Sequence, residues 1–489
     1  MTDTEFQSWL SSPTAIKCIL VEVGVNIGGT EQVVYLSNRG YTTFPSDTPA
    51  NTVYKPIIKS GLSLSQALSL DSKASISWGD IEITNPSGDF DEYLTYIWSN
   101  RVCNVYLGDV SWIRSDFRLV FTGKVEDVGS RSRDTINLKI RDNLNKLNSV
   151  ITEVNLGGTT SNKDKLLPLC FGEVHNIEPL LVDPTNLEYQ VHQGSIERII
   201  EVRDNGVPVT VTESLSTGKF RLTSSPVGTI TCSIQGAKPS GTYTNNIATL
   251  IKYIVKTYGK EVLLDSDIDL TNFSAFESTY TQPVGLYVDS KANVLDIINK
   301  LADSIGAQVT MNTDGKLQLQ RIDIPYVGST VVTVSQSSIT EKSFSIVDKL
   351  KVKAAVNIGY CKNYTVQNAL TTGLLPEHIA LFAKEWLEAK TSDSSVASLY
   401  AINTEADIEE TCLLNLTTAS TESTRRLNIY KSPRFTYEFE TTMEYIGIKL
   451  GDYITVQHPR FGFSTGKKCQ VIGVSIDWFR NRIKYKVIV

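Results

Sequence analysis

The feature that most constrains this chain is how its apolar residues recur. For most of its length they fall in short, β-branched runs closed by Gly, Asn and Pro turns, and a helical period surfaces only in places. Residues 16–25, 32–36, 74–83 and 135–141 each alternate or cluster strand-forming side chains. Asn38-Arg-Gly, Asn85-Pro-Ser-Gly and Leu107-Gly-Asp supply turns between them. Short strands at this spacing predict a barrel or sandwich from Ile16 to about Asn143.

With 489 residues the chain is long enough for several domains of ordinary size. A Gly- and polar-rich stretch, residues 156–165, reads as an exposed connection. A smaller β unit follows to about residue 240. Its clearest element runs through Asp204-Asn205-Gly206, a hairpin signal because positive φ is accessible to Asn and Gly. The period then changes. Ile247, Leu250, Ile251, Ile254 and Tyr258 share one helical face, and Gly259 is the stop. A second helix is predicted from Lys291 to Ser304, capped by Ser290 and ended by Gly306. Residues 307–311 and 317–321, joined by Asn312-Thr-Asp-Gly, predict a hairpin. Beyond it come strands near 331–339 and 349–356, helical patches at 377–389 and 405–428, and closing strands at 434–440, 452–456, 470–477 and 483–489. The expected domains are therefore 1–155 (first β-barrel), 156–240 (small β domain), 241–326 (α+β, two helices and a hairpin) and 327–489 (second β-barrel with helical insertions). The fold class is mainly β and multidomain, α+β overall.

Chemistry is hard to find. The seven cysteines are spread evenly, none at C-x-x-C spacing, and most sit in strand-like runs as small buried hydrophobes. The four histidines, His175, His192, His378 and His458, form no H-E-x-x-H or similar ligand spacing. His175 lies five residues after Cys170, but no nucleophile signature surrounds either. Gly28-Gly29 and Gly157-Gly158 lack the phosphate-loop patterns. Asp89/Asp91 and Glu409/Glu410 read as solvated faces more readily than as glycosidase pairs. Asn312-Thr-Asp-Gly is too short for a calcium loop. Trp78, Trp98, Trp112 and Trp478 sit in or beside strand runs, where core packing is expected. No catalytic, cofactor-binding or metal-binding residue is assigned, and the chain is expected not to be an enzyme. The N-terminus carries no apolar signal core, and no stretch approaches the about 18–20 apolar residues of a membrane span. A net charge of −6 with scattered Lys and Arg gives no reason to expect nucleic-acid binding as the main task.

One internal echo stands out. Gly123-Lys-Val-Glu-Asp, a turn through Arg131 and Arg133, then Ile136-Asn-Leu-Lys-Ile closes the first β domain. Gly473-Val-Ser-Ile-Asp, a turn through Arg480 and Arg482, then Ile483-Lys-Tyr-Lys-Val closes the last.

The C-terminal text resembles a known family. Arg425-Arg-Leu-Asn-Ile-Tyr-Lys-Ser-Pro-Arg-Phe-Thr-Tyr-Glu-Phe, Leu450-Gly-Asp-Tyr-Ile-Thr-Val, His458-Pro-Arg-Phe-Gly and Val471-Ile-Gly-Val-Ser-Ile-Asp resemble the closing domain of tailed-bacteriophage tail hub proteins, the baseplate or tail-tip hubs of siphophages and gene-transfer-agent-like particles. Trp78-Gly-Asp-Ile-Glu-Ile-Thr-Asn with Gly88-Asp-Phe-Asp-Glu-Tyr-Leu resembles their first domain. Cys170-Phe-Gly-Glu-Val-His-Asn-Ile-Glu-Pro-Leu-Leu-Val-Asp resembles the entry to their second. Ile297-Ile-Asn-Lys-Leu-Ala-Asp-Ser-Ile-Gly-Ala with Gly315-Lys-Leu-Gln-Leu-Gln-Arg resembles their third.

The resemblance implies two tube-like barrels per subunit and a homotrimer whose pseudo-hexameric ring continues the tail tube. It implies a virion location at the tail tip, with assembly in the host cytoplasm. The implied neighbours are a distal tail or tail-tube ring protein, a tape-measure protein and a central fibre or spike protein. Genomic DNA would pass transiently without specific binding. Because the sequence stops at Val489, host recognition is expected to belong to other proteins. Two other classes compete: a carbohydrate-binding adhesin, from the β content and aromatics, and a cell-wall-degrading enzyme, from scattered carboxylates. Glycan binding or cell-wall turbidity loss would mark them.

Overall fold

The computed structural model describes all residues except 1, 13, 61, 62, 71–74, 79, 142, 313, 325–329, 372 and 479. The protein is mainly β and multidomain, and its chain packs into two compact units. One comprises Met1–Asn145, Thr310–Leu350 and Arg434–Val489; the other comprises Lys146–Val309 and Lys351–Pro433.

The first unit contains two barrels. The first region contributes the strands β1 (Lys17–Ile27), β2 (Thr30–Ser37), β3 (Ile58–Ser60), β4 (Ser63–Ala67), β5 (Ser75–Trp78), β6 (Ile81–Thr84), β7 (Val102–Asp109), β8 (Arg118–Ser132) and β9 (Thr135–Arg141), of which β4 and β5 pair with each other and join the second barrel's sheet. Seven of them form one sheet in the order β2-β1-β7-β8-β9-β6-β3. Alternation along each strand sends Val23, Val25, Val105, Phe121 and Val125 into the core. The segment between β2 and β4 closes the sheet into a barrel. The Ser37 amide donates to Lys55 O at 2.7 Å and the Lys55 amide donates to Tyr35 O at 3.1 Å. Three residues on, β3 pairs antiparallel with β6 at the opposite edge. The closure is partial, because among the described residues only Tyr35–Ser37 of β2 meet this segment and residues 30–33 are exposed.

The second barrel uses the same device. Its strands are β10 (Thr333–Val334), β11 (Ser345–Lys349), β12 (Phe435–Thr442), β13 (Tyr453–His458), β14 (Phe463–Asp477) and β15 (Arg482–Ile488), in the order β10-β13-β14-β15-β12-β11. Here β10 runs parallel to β13, and the chain then crosses so that the Thr340 amide reaches Glu440 O on β12 at 2.7 Å.

The two barrels repeat one another strand for strand over their last four elements. Both have the spatial order β7-β8-β9-β6 and β13-β14-β15-β12, and both long strands, β8 and β14, have 15 residues. Each long strand carries a bulge at the same place, between Val125 and Asp127 and between Val471 and Gly473. Each bulge is held by the same pair of bonds. The amides of Asn100 and Gly451 donate to Val125 O and Val471 O, and the amides of Val125 and Val471 donate to Arg101 O and Asp452 O. Asn100 and Gly451 both have positive φ, 67° and 89°, the region open to Asn and Gly. The hairpin echo in the sequence is the visible part of this repeat.

The second unit builds a five-stranded sheet from Leu169–Ile177, Ile196–Asp204, Val207–Pro208, Ile230–Ala237 and Gly285–Val288. The predicted turn is present, with Asn205 at φ 46° and Gly206 at φ 88°. Gly172 stands directly opposite Gly285, and a Cβ on Gly285 would lie 1.5 Å from Glu173 O, so the strand pair excludes any other residue there. Helices Ile247–Thr257, Leu270–Thr279 and Val294–Asp303 accompany the sheet. Ile247, Leu250, Ile251 and Ile254 are buried on the predicted face.

Four local expectations are corrected. The helix expected from Lys291 begins at Val294 with Asn293, not Ser290, at its N-cap. The helix Leu270–Thr279 was not expected; it buries only Phe273 and Phe276, too few for a visible period. The patch at 377–389 divides into a helix, Pro376–Phe382, and a strand, Leu387–Ser392. The patch at 405–428 divides into a strand, Ile408–Glu410, and a helix, Leu416–Tyr430. Both strands flank Ala355–Tyr360 in one sheet, a tertiary pairing that overrides local propensity.

Candidate functional site

Every place where the sequence hinted at chemistry has a definite neighbourhood. Cys170 and His175 do not pair. His175 Nε2 lies 3.1 Å from Glu173 Oε1, whereas the Cys170 amide donates to His192 Nδ1 at 3.0 Å. The Cys170 thiol is fully buried, and burial pushes its pKa well above the ordinary thiol value. That environment suppresses the thiolate a nucleophile needs.

His192 is the histidine that sequence reasoning passed over. It lies in the second unit, 2% exposed, and burial brings its pKa down to about 4. A histidine that is neutral when folded, but protonates near its ordinary value of 6.5 when unfolded, binds protons preferentially in the unfolded chain. Its contribution to stability is complete above pH 6.5 and drains as pH falls toward 4, a total of about 3 kcal/mol. Urea midpoints measured across that window should fall steeply for the wild type. They should flatten for His192→Gln, whose amide oxygen still accepts from the Cys170 amide.

The carboxylate pairs are engaged elsewhere. Asp91 accepts from Asn85 Nδ2 at 2.7 Å. Glu409 pairs with Arg426 at 2.8 Å and with Lys353 at 3.4 Å, and Glu410 faces Lys300 at 3.8 Å. Among the described residues no three His, Cys, Asp or Glu side chains group in a way that would hold a metal ion. The Asn312 carboxamide closes its hairpin turn, accepting from the amides of Asp314 and Lys316. Trp98 and Trp478 are core residues at 1% and 4% exposure, so neither is a stacking platform, and the Trp78 side chain lies outside the described residues.

The first unit holds a cavity of about 370 Å³ lined by Gln66, Gln318, Gln320, Arg118, Asp452 and apolar groups. Two of its polar side chains, Gln66 and Asp452, bond within the fold. Gln66 Nε2 donates to Met311 O at 2.8 Å, and Asp452 Oδ2 accepts from the Lys449 amide at 2.7 Å. Burial raises the Asp452 pKa.

What the first unit presents outward is unpaired strand edge. The strand β11 is exposed at all five residues, Ile346 and Val347 included, and among the described residues it pairs only with β12. On β8, pairing to β7 stops at Lys124. Among the described residues nothing pairs with residues 127–131 on the side away from β9. Open edges of this kind accept other strands. The sites with geometry to offer are therefore surfaces for assembly.

No protein-family model and no curated protein sequence matches this chain. Solved structures do. The 43 kDa tail protein of prophage MuSo2 from Shewanella oneidensis is 13% identical, with a TM-score of 0.42, over 96% of this chain and 98% of that one. A tail protein from Neisseria meningitidis MC58 is 11% identical, TM-score 0.39, over 97% of each chain. A chain of the native gene transfer agent virion is 10% identical, TM-score 0.45, over 69% of this chain and 87% of that one.

Proposed function

We propose that this chain is the structural hub of a phage-type tail tip or baseplate. Three copies form a ring that continues the tail tube, closes or gates the DNA channel, and anchors the neighbouring tail proteins. It works without catalysis or a cofactor, in the virion. Its four domains are residues 1–155, 156–240, 241–326 and 327–489.

The observation that carries this reading is the repeat of one barrel motif within a single unit, down to its bulge and the two bonds that hold it. Two equivalent barrels per chain supply six equivalent positions from three chains, which is what matching a sixfold tube requires. The quoted motifs that resemble tail hubs support the same assignment. So does the lack of a basic stripe in a protein of net charge −6, because each neutralised phosphate would add to a salt-sensitive grip on passing DNA. The arginines at the hairpin ends fit that picture. Arg131 pairs with Asp80, and Arg482 donates to Thr340 Oγ1 at 2.8 Å.

Light scattering on the purified full chain, alone and with a candidate tail-tube ring protein, is expected to give three copies per assembly. The same assembly should not retain duplex DNA in a gel shift at moderate salt. A stable dimer, a chain that never assembles, or DNA binding at micromolar or tighter affinity would overturn the proposal.

A further inference from the structure

The repeat leaves one pairing made and its counterpart unmade. Within the chain, β4 adds antiparallel to the outer half of β14, from Ala67 opposite Gly473 to Ser63 opposite Asp477. That addition covers the edge. Gly473, Val474 and Ile476 are buried, as are Leu64 and Gln66 on β4. The shared bulge sets the correspondence to the first barrel: Val125 matches Val471 and Asp127 matches Gly473, so residues 127–129 of β8 match 473–475 of β14, after which β8 carries a second bulge between Gly129 and Ser132. No strand covers residues 127–131 among the described residues. Asp127, Ser130 and Arg131 are exposed.

The missing donor can be identified in the same way. In the first barrel β3 pairs with β6, and the next strand, β4, forms a hairpin with β5 just ahead of β6. In the second barrel Ile339 and Thr340 occupy the place of β3 against β12. The next strand, β11, pairs with the leading half of β12, from Ser345 opposite Glu438 to Lys349 opposite Phe435. So β11 is the counterpart of β4. It differs in pairing with no second strand among the described residues, and Ile346 and Val347 stand 43% and 45% exposed where Leu64 is fully buried.

We infer that β11 of one copy pairs with residues 127–131 of β8 in a second copy, repeating between chains the β4–β14 addition found within the chain. The occupant is a second copy because the donor and the acceptor are both present, both open, and both matched to a pair already joined. A donor edge and a different acceptor edge on one chain make a head-to-tail contact, which closes into a ring under cyclic symmetry. Covering both edges also removes two aggregation-prone templates. The inference rests on the ring-forming reading above and names the surface that closes the ring.

The test is cysteine cross-linking of the full chain. Ser130→Cys and Ser345→Cys combined, treated with a short bis-maleimide, should give covalent dimers and trimers. Neither single variant nor the wild type should do so, since six of the seven native cysteines are buried. Ile346→Lys with Val347→Lys should leave thermal melting unchanged, because both side chains are exposed, while raising the concentration needed for assembly by about tenfold or more. If scattering shows trimers, but the double-cysteine chain does not cross-link and the lysine variant assembles normally, the strand assignment falls and the trimeric hub survives. A chain that stays monomeric across the concentration series, with no cross-link, overturns both. A cross-link only to an added tail protein would mean the β8 edge serves that protein, and it would overturn the second-copy pairing.

Discussion

Replacing Leu301 with Asp is expected to unfold the second unit. Leu301 lies on the helix Val294–Asp303 and is completely buried, with Ile297 and Ile298 beside it on the same apolar face. The substitution deletes the buried isobutyl group and places a carboxyl on a face shared with buried Val294, Ile297 and Ile298. The lost packing costs about 2–5 kcal/mol by itself, and the unpaired polar group adds to it. A domain with net stability of about 5–15 kcal/mol does not carry that loss comfortably. Circular dichroism melting should show the second unit's transition lowered by ten degrees or more, at about 2–4 °C for each kcal/mol in a unit of this size. Leu301→Met, which conserves volume, should cost less than about 1.5 kcal/mol and serves as the control. An unchanged melt for Leu301→Asp would mean that this face is not the core.

The second large effect is expected at Glu422, on the helix Leu416–Tyr430. Its carboxylate is 5% exposed and binds two guanidinium groups, accepting from Arg425 at 2.6 and 2.8 Å and from Arg426 Nε at 2.7 Å. Arg426 also reaches Glu409 at 2.8 Å and the backbone carbonyl of Asp303. Burial raises the Asp303 pKa despite the nearby Arg426 charge, so this is a desolvated cluster whose members hold one another in their charge states. Glu422→Leu keeps the bulk and removes the charge that two arginines share. Breaking a buried pair from one side costs about 3–5 kcal/mol, far more than an exposed salt bridge is worth. Denaturant titration should show that loss with little dependence on added salt, since buried pairs are poorly screened. A loss under about 1 kcal/mol would mean that water enters the cluster and carries the charge.

Both predictions concern residues whose importance was unevenly legible. Leu301 belongs to a run with a clear 3.6-residue period, and its burial was readable from spacing. Glu422 was only partly so: Arg425 and Arg426 stand at i+3 and i+4 on its own helix, but that helix is Thr- and Ser-rich without an apolar stripe, and the burial and the Glu409 strand that make the cluster matter come from the fold. The corrected elements divide along the same line. The helix Ile247–Thr257 was placed to within a residue because five apolar side chains share its face. The strands Leu387–Ser392 and Ile408–Glu410 were read as helix because their partner, Ala355–Tyr360, lies well upstream, and pairing energy of that kind leaves no local signature.

By itself the sequence determined the dominance of strand, the Asn205–Gly206 turn, the two clear helices of the middle region, and the hairpin echo between Gly123 and Gly473. Each of these follows from side-chain period or from the φ preferences of single residues, which act within a few positions of the chain. Only the tertiary structure decided that the first and last β regions pack in one unit, that β4 adds to a strand from the far end of the chain, and that its counterpart β11 and the outer half of β8 are left open. Those outcomes depend on backbone hydrogen bonds between strands remote in sequence. Such bonds are made by main-chain groups that every residue shares, so no particular residue type announces them.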